Sequence, residues 1–164
     1  YMEYYVLEAL CKMGKYEEAY NRIKERYDGM VNEDYSTLWE FWDSWRGTKN
    51  HAWSGGPLVI MSKHFAGITP LEAGYEKVKI DPKYTLSDSM TCTVPSVKGL
   101  ITLNYEKNDT YFVIELTLPE DVKAVFYVPE NATVNINSVL YYQNGEYLNE
   151  KIGDVEIVEK AIEN

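Results

Sequence analysis

FAGITPLEAGYEKVKI, residues 65–80, holds the point at which this chain changes its period. Phe65 closes a set of apolar residues at helical spacing, Leu58, Met61 and Phe65, and Gly67 supplies the stop. Ile68-Thr69-Pro70 breaks that rhythm. From Gly74 onward the pattern alternates, with Val78 and Ile80 set between Lys77 and Lys79. A chain with helical spacing before this stretch and alternation after it is an α+β chain in two parts, residues 1–69 and 70–164.

Downstream, the alternation recurs at regular intervals. Ile101, Leu103 and Tyr105 form one apolar face, Phe112, Ile114, Leu116 and Leu118 a second, and Val122, Ala124, Phe126 and Val128 a third. Turns are predicted at Asn108-Asp109, at Pro119-Glu120-Asp121 and at Asn144-Gly145, the last as a hairpin after Val139-Leu140-Tyr141-Tyr142. Strands so spaced, each with one apolar face, predict an antiparallel β-sandwich. Two Asn-X-Thr triplets, starting at Asn108 and Asn131, read as chance occurrences at turns.

Upstream, Val6, Leu7, Leu10 and Cys11 share one helical face, and Gly14 ends that helix in the left-handed region. Tyr16, Ala19, Tyr20, Ile23 and Tyr27 mark a second helix. The short link requires the two to pack antiparallel, and the pair needs further helices beside it to bury both apolar faces. Pro57 suits the first turn of a third helix. The chain starts in a helical pattern with no leader and no N-cap residue, which is expected of a piece of a larger protein, so compartment cannot be read from this end.

Between the second and third helices lies NEDYSTLWEFWDSWRGTKNHAWSGGP, residues 32–57, with all four tryptophans of the chain. Rings at this density beside carboxylates and glycines suit a concave site for a polar, ring-shaped ligand; a buried connection between helices is the competing reading. Trp39, Trp42 and Trp53 can stack on the apolar faces of sugar rings. Glu40, between Trp39 and Phe41, is a carboxylate that large rings would dehydrate, the circumstance in which a glutamate serves as general base or acid. His51 precedes a Gly-Gly turn and can donate a hydrogen bond to a hydroxyl-rich ligand, or be satisfied by backbone. Glu33 and Asp34 read as loop or capping residues, Asp43 and Arg46 as a structural i,i+3 pair, and His64 as a surface or packing residue.

Charge narrows the partners. The net charge is −10, and the 26 acidic against 16 basic residues argue against nucleic acid, which needs clustered Lys and Arg. Most of the excess lies after Thr69 and reads as a solvated acidic surface. No apolar run has the length to cross a bilayer, so no membrane partner is expected. Cys11 and Cys92 fall in different parts and read as free, without zinc spacing; no metal and no cofactor is expected.

The ordered segments YMEYYVLEALCKMGKYEEAYNRIKERYDGM, STLWEFWD, NHAWSGGP and FAGITPLEAGYEKVKIDP, followed by TVPSVKGLITLNYEK and VKAVFYVP, resemble the C-terminal end of bacterial α-L-rhamnosidases, the family-78 glycoside hydrolases. The resemblance implies that residues 1–69 are the terminal helices of an (α/α)6 catalytic barrel and residues 70–164 the family's closing β-sandwich. It implies removal of terminal α-L-rhamnose from glycosides or polysaccharides with inversion. Glu40 matches the family's general base, and His51 matches a histidine lining the sugar pocket. The general acid belongs to an upstream motif with no counterpart here, so this piece alone is expected to be inactive. It is expected to pack on the rest of the barrel or to self-associate, and a bacterial periplasmic or secreted setting is compatible. The alternative is a non-catalytic structural or carbohydrate-binding β-sandwich with a helical cap. Tyr111, Tyr127 and Tyr142 are then its exposed aromatic platforms.

Overall fold

The computed structural model describes residues 2–32, 35–107, 111–136, 139–148 and 155–161. Glu33, Asp34 and the Asn108-Asp109-Thr110 turn lie outside the described residues. The chain divides into two compact units, Tyr1–Phe65 and Ala66–Asn164.

In the first unit, α1 (Glu3–Lys12) and α2 (Tyr16–Val31) form around Leu7, Cys11, Ala19, Tyr27 and Met30, all buried. Gly14, at φ +75°, ends α1; the Lys15 N–H donates to Leu10 O at 2.9 Å and the Gly14 N–H to Cys11 O at 3.1 Å. Glu3, at the start of α1, takes Arg22 of α2 on both carboxylate oxygens at 2.6 and 3.0 Å, as antiparallel packing across so short a turn requires. After a connecting loop come a 3-10 turn (Ala52–Gly55), α3 (Gly56–Ile60) and a widened π turn (Met61–Phe65).

The face expected of the third helix is corrected here. Pro57, Ile60 and Phe65 are buried, whereas Leu58 is 65% exposed and Met61 is also exposed. The break from 3-10 through α to π turns the helical wheel, so a constant period of 3.6 misplaces the face. Of the two readings of His64, packing holds: its Nε2 and the Nζ of Lys63 both reach the Glu8 carboxylate at 2.7 Å, fastening this segment to α1. Burial alone would push the Glu8 carboxyl up, but the hydrogen bonds and charges of Lys63 and His64 reverse that and hold it at about 2.

The second unit has three sheets. The four-stranded sheet runs β1 (Ile68–Pro70), β2 (Lys77–Ile80), β6 (Lys123–Pro129), β10 (Val155–Lys160). A three-stranded sheet holds β3 (Ser89–Ser96), β4 (Gly99–Lys107) and β5 (Phe112–Thr117); another holds β7 (Val134–Ile136), β8 (Val139–Gln143) and β9 (Glu146–Tyr147). The expected antiparallel pairing holds within the two smaller sheets, but the larger is mixed, since β2 and β10 both run parallel to β6. The reason is visible in β6: Ala124, Val125, Phe126 and Val128 are all buried, a strand covered on both faces as parallel pairing demands. Ile68, Val78, Ile80, Ile101, Leu103, Phe126, Tyr141 and Ile157 join one core drawn from all three sheets. The Asn144-Gly145 hairpin forms as read, both residues at positive φ, with Gln143 opposite Glu146.

Two features tie this unit at its start. Gly67, at φ +68°, lies so close to β2 that an added Cβ would stand 2.0 Å from Asp81 O. The buried Asp81 carboxylate then gathers Lys160 at 2.7 Å, Lys79 at 2.9 Å and Lys83 at 3.3 Å, joining the end of β10 to that of β2. Burial pushes this carboxyl up, yet Lys160 and Lys79 hold it below its ordinary value. Of the expected aromatic platforms, Tyr111 is exposed, but Tyr142 is buried and the Tyr127 ring lies under Lys79 Nζ at 4.8 Å. Among the described residues no helix is long and apolar enough to cross a membrane.

Candidate functional site

The loop between α2 and α3 is irregular in backbone but pinned from both sides. His51 N–H donates to Leu38 O at 2.9 Å and Glu40 N–H to Thr48 O at 3.0 Å, so residues 38–40 run alongside residues 48–51. The Thr37 hydroxyl donates to Lys49 O, and the Ser54 hydroxyl to Trp39 O at 2.5 Å. These bonds satisfy backbone groups that neither helix nor sheet would pair. They bring Glu40 and His51, eleven residues apart in sequence, onto the same side chain, Thr48.

Thr48 presents its N–H at 3.1 Å and its hydroxyl at 3.3 Å to the same oxygen of Glu40, Oε2. The hydroxyl is 3.5 Å from His51 Nδ1. Gly47, at φ +63°, closes the other side: an added Cβ would stand 2.8 Å from Glu40 Oε2 and 2.6 Å from the Phe41 ring. Among the described residues no ion pair engages Glu40. Oε2 is therefore occupied by fixed dipoles, and Oε1 is left for other work.

The tryptophans divide in role. Trp39 is only 3% exposed; it packs with Tyr27 and Met30 of α2, meets Tyr35 edge-on, and has Lys49 Nζ 4.6 Å from its ring. Trp42 is 43% exposed, set edge-on to Tyr27 at 5.1 Å with the Arg26 guanidinium over it at 4.5 Å. Arg26 also approaches Glu3 at 3.8 Å, so the Glu3 pairing that joins the helices extends to the loop. Trp53 is 58% exposed, and Trp45 more so. Asp43 and Arg46 do pair, at 3.6 Å, on a turn rather than a helix, and Arg46 also covers Phe41 at 4.5 Å. Thr37, Gly47, Thr48 and Ser54, which build the loop, carried no periodic signal in sequence; Gly47 alone, ahead of Thr48 in a polar run, hinted at a tight turn.

The family model of the bacterial alpha-L-rhamnosidase C-terminal domain matches residues 67–143. An alpha-L-rhamnosidase of Formosa agariphila is 28% identical over 127 residues, 70% of this chain and 14% of that protein. One of Streptomyces avermitilis is 25% identical over 139 residues, 76% of this chain and 14% of that protein. The chain is similar to the C-terminal part of bacterial α-L-rhamnosidases. The crystal structure of the S. avermitilis α-L-rhamnosidase complexed with L-rhamnose superposes with a TM-score of 0.65 at 25% identity, over 77% of this chain and 14% of that one. The α-L-rhamnosidase of Dictyoglumus thermophilum gives 0.72 at 23% identity, over 93% and 18%, a likeness of fold. A family-78 rhamnosidase of a Bacillus species gives 0.64 at 20% identity, over 98% and 16%, again a likeness of fold. The chain thus spans about one seventh of the curated α-L-rhamnosidases it matches.

Proposed function

We propose that this chain is the C-terminal portion of an inverting glycoside hydrolase that removes terminal α-L-rhamnose from glycosides or polysaccharides. The helical unit, which ends at Phe65 rather than at the residue 69 expected from sequence, is then the last helices of its (α/α)6 barrel, and the unit from Ala66 onward its closing β-sandwich. Glu40 is the general base. His51, Trp42 and Trp53 line the sugar site, and Trp39 forms its back wall. The observation that carries the reading is the state of Glu40: a carboxylate with one oxygen held by Thr48 and the other not engaged by any cation among the described residues.

In the inverting reaction Glu40 takes a proton from water as that water attacks the anomeric carbon. A carboxylic acid on the upstream part of the barrel protonates the leaving oxygen from about 6.5–9.5 Å away. The present chain holds half of that pair and does not turn over substrate alone. Exposed Val6, Leu58, Val59 and Met61 on the helical unit supply apolar surface of the kind a neighbouring barrel helix covers.

Replacing Glu40→Gln in the intact enzyme tests the assignment. Turnover of an aryl α-L-rhamnoside falls by about 100-fold or more, as loss of a general base requires, while rhamnose binding and folding persist. A variant with the wild-type kcat refutes the role given to Glu40.

A further inference from the structure

The Thr48 hydroxyl stands between the two polar groups of the loop, 3.3 Å from Glu40 Oε2 and 3.5 Å from His51 Nδ1. A hydroxyl has one proton to give and lone pairs to accept with, whereas an ionised carboxylate only accepts. The Thr48 proton therefore goes to Oε2. With both contacts made at once the same oxygen offers only lone pairs toward His51, and Nδ1 then carries the hydrogen. A neutral imidazole bears a proton on one nitrogen alone, and Nε2 is left bare. The chain of donors runs in one direction, from Nδ1–H to the hydroxyl and from the hydroxyl to the carboxylate.

We propose that Thr48 is a positioning residue that locks His51 as its Nδ1–H tautomer and pins Oε2 of Glu40. His51 Nε2 then meets a sugar hydroxyl as an acceptor, the reverse of the donor role that sequence suggested, and Oε1 alone faces the attacking water. The tautomer follows from the hydrogen bonds alone, whereas the roles of Nε2 and Oε1 rest on the rhamnosidase reading. Geometry supports the one-sided use of Glu40. The backbone N–H and the hydroxyl of Thr48 both point at Oε2, and Gly47 leaves no room for a side chain there. Contacts of 3.3–3.5 Å fit a resting site whose hydrogen bonds tighten when ligand arrives.

The first measurement uses the 164-residue chain labelled with 15N, at about pH 8.5, above the ordinary imidazole range near about 6.5. His51→Gln assigns the signals of the two histidines. Wild-type His51 carries its proton on Nδ1, Thr48→Ser keeps it there, and Thr48→Val moves it to Nε2. A proton on wild-type Nε2, or a tautomer unmoved by Thr48→Val, overturns the proposal. The second measurement is made in the full-length enzyme on an aryl α-L-rhamnoside. Thr48→Val lowers kcat by about 100-fold, the scale of a misplaced catalytic group, and Thr48→Ser recovers most of it. Unchanged kcat in Thr48→Val overturns the catalytic half. An inactive wild-type enzyme together with the expected tautomers refutes the rhamnosidase reading and leaves the lock on His51 standing.

Discussion

Acidification should release the segment that Glu8 fastens, and the size of the effect can be worked from its surroundings. The carboxylate is 13% exposed and held by Lys63 and His64, each at 2.7 Å. Burial works against the charge, and the two partners more than offset it, placing the group at about 2 against an ordinary 4.5. At about 1.4 kcal/mol for each pH unit, that gap amounts to about 3 kcal/mol. A depressed carboxylate contributes this stability in full above the unfolded value of 4.5 and loses it as pH falls toward about 2. Urea unfolding followed by tryptophan fluorescence isolates the effect, because all four tryptophans lie between residues 39 and 53, within the helical unit. Wild type should exceed Glu8→Gln by about 3 kcal/mol near pH 6.5 and by less than about 1 kcal/mol near pH 2.5. A gap that stays constant across that range would show that Glu8 is not held as described.

The β unit makes two further claims. Gly67→Ala places a methyl group 2.0 Å from Asp81 O at a φ of +68°, and should cost more than about 2 kcal/mol; an unchanged melting temperature would refute the close approach of Gly67 to β2. Asp81→Asn strands three lysines around a neutral amide and should cost about 3–5 kcal/mol by thermal unfolding monitored in the far ultraviolet. The wild-type advantage over that variant should fade as pH drops below the ordinary carboxylate value of 3.8.

Sequence determined the features that depend on local spacing. The change of period at Ile68-Thr69-Pro70, the Gly14 stop, the Asn144-Gly145 hairpin and the inward faces of Ile101, Leu103 and Tyr105 are all set by residues within a few positions of one another. It also offered Glu40, set between Trp39 and Phe41, and His51, two residues before Trp53, as candidates.

Tertiary structure decided what depends on partners far along the chain. No pattern within β6 names β2 and β10 as its neighbours; its unbroken apolar run says only that both faces are covered. The helical wheel of residues 56–65 fails because turns of three widths follow one another, and which width wins depends on what Glu8 and Tyr20 pack against. At the site, a threonine is among the least conspicuous residues in a sequence. It becomes consequential only when backbone bonds fold the loop back on itself and set one hydroxyl between a carboxylate and an imidazole, since hydrogen bonding acts through distance and direction, which spacing along a chain does not specify.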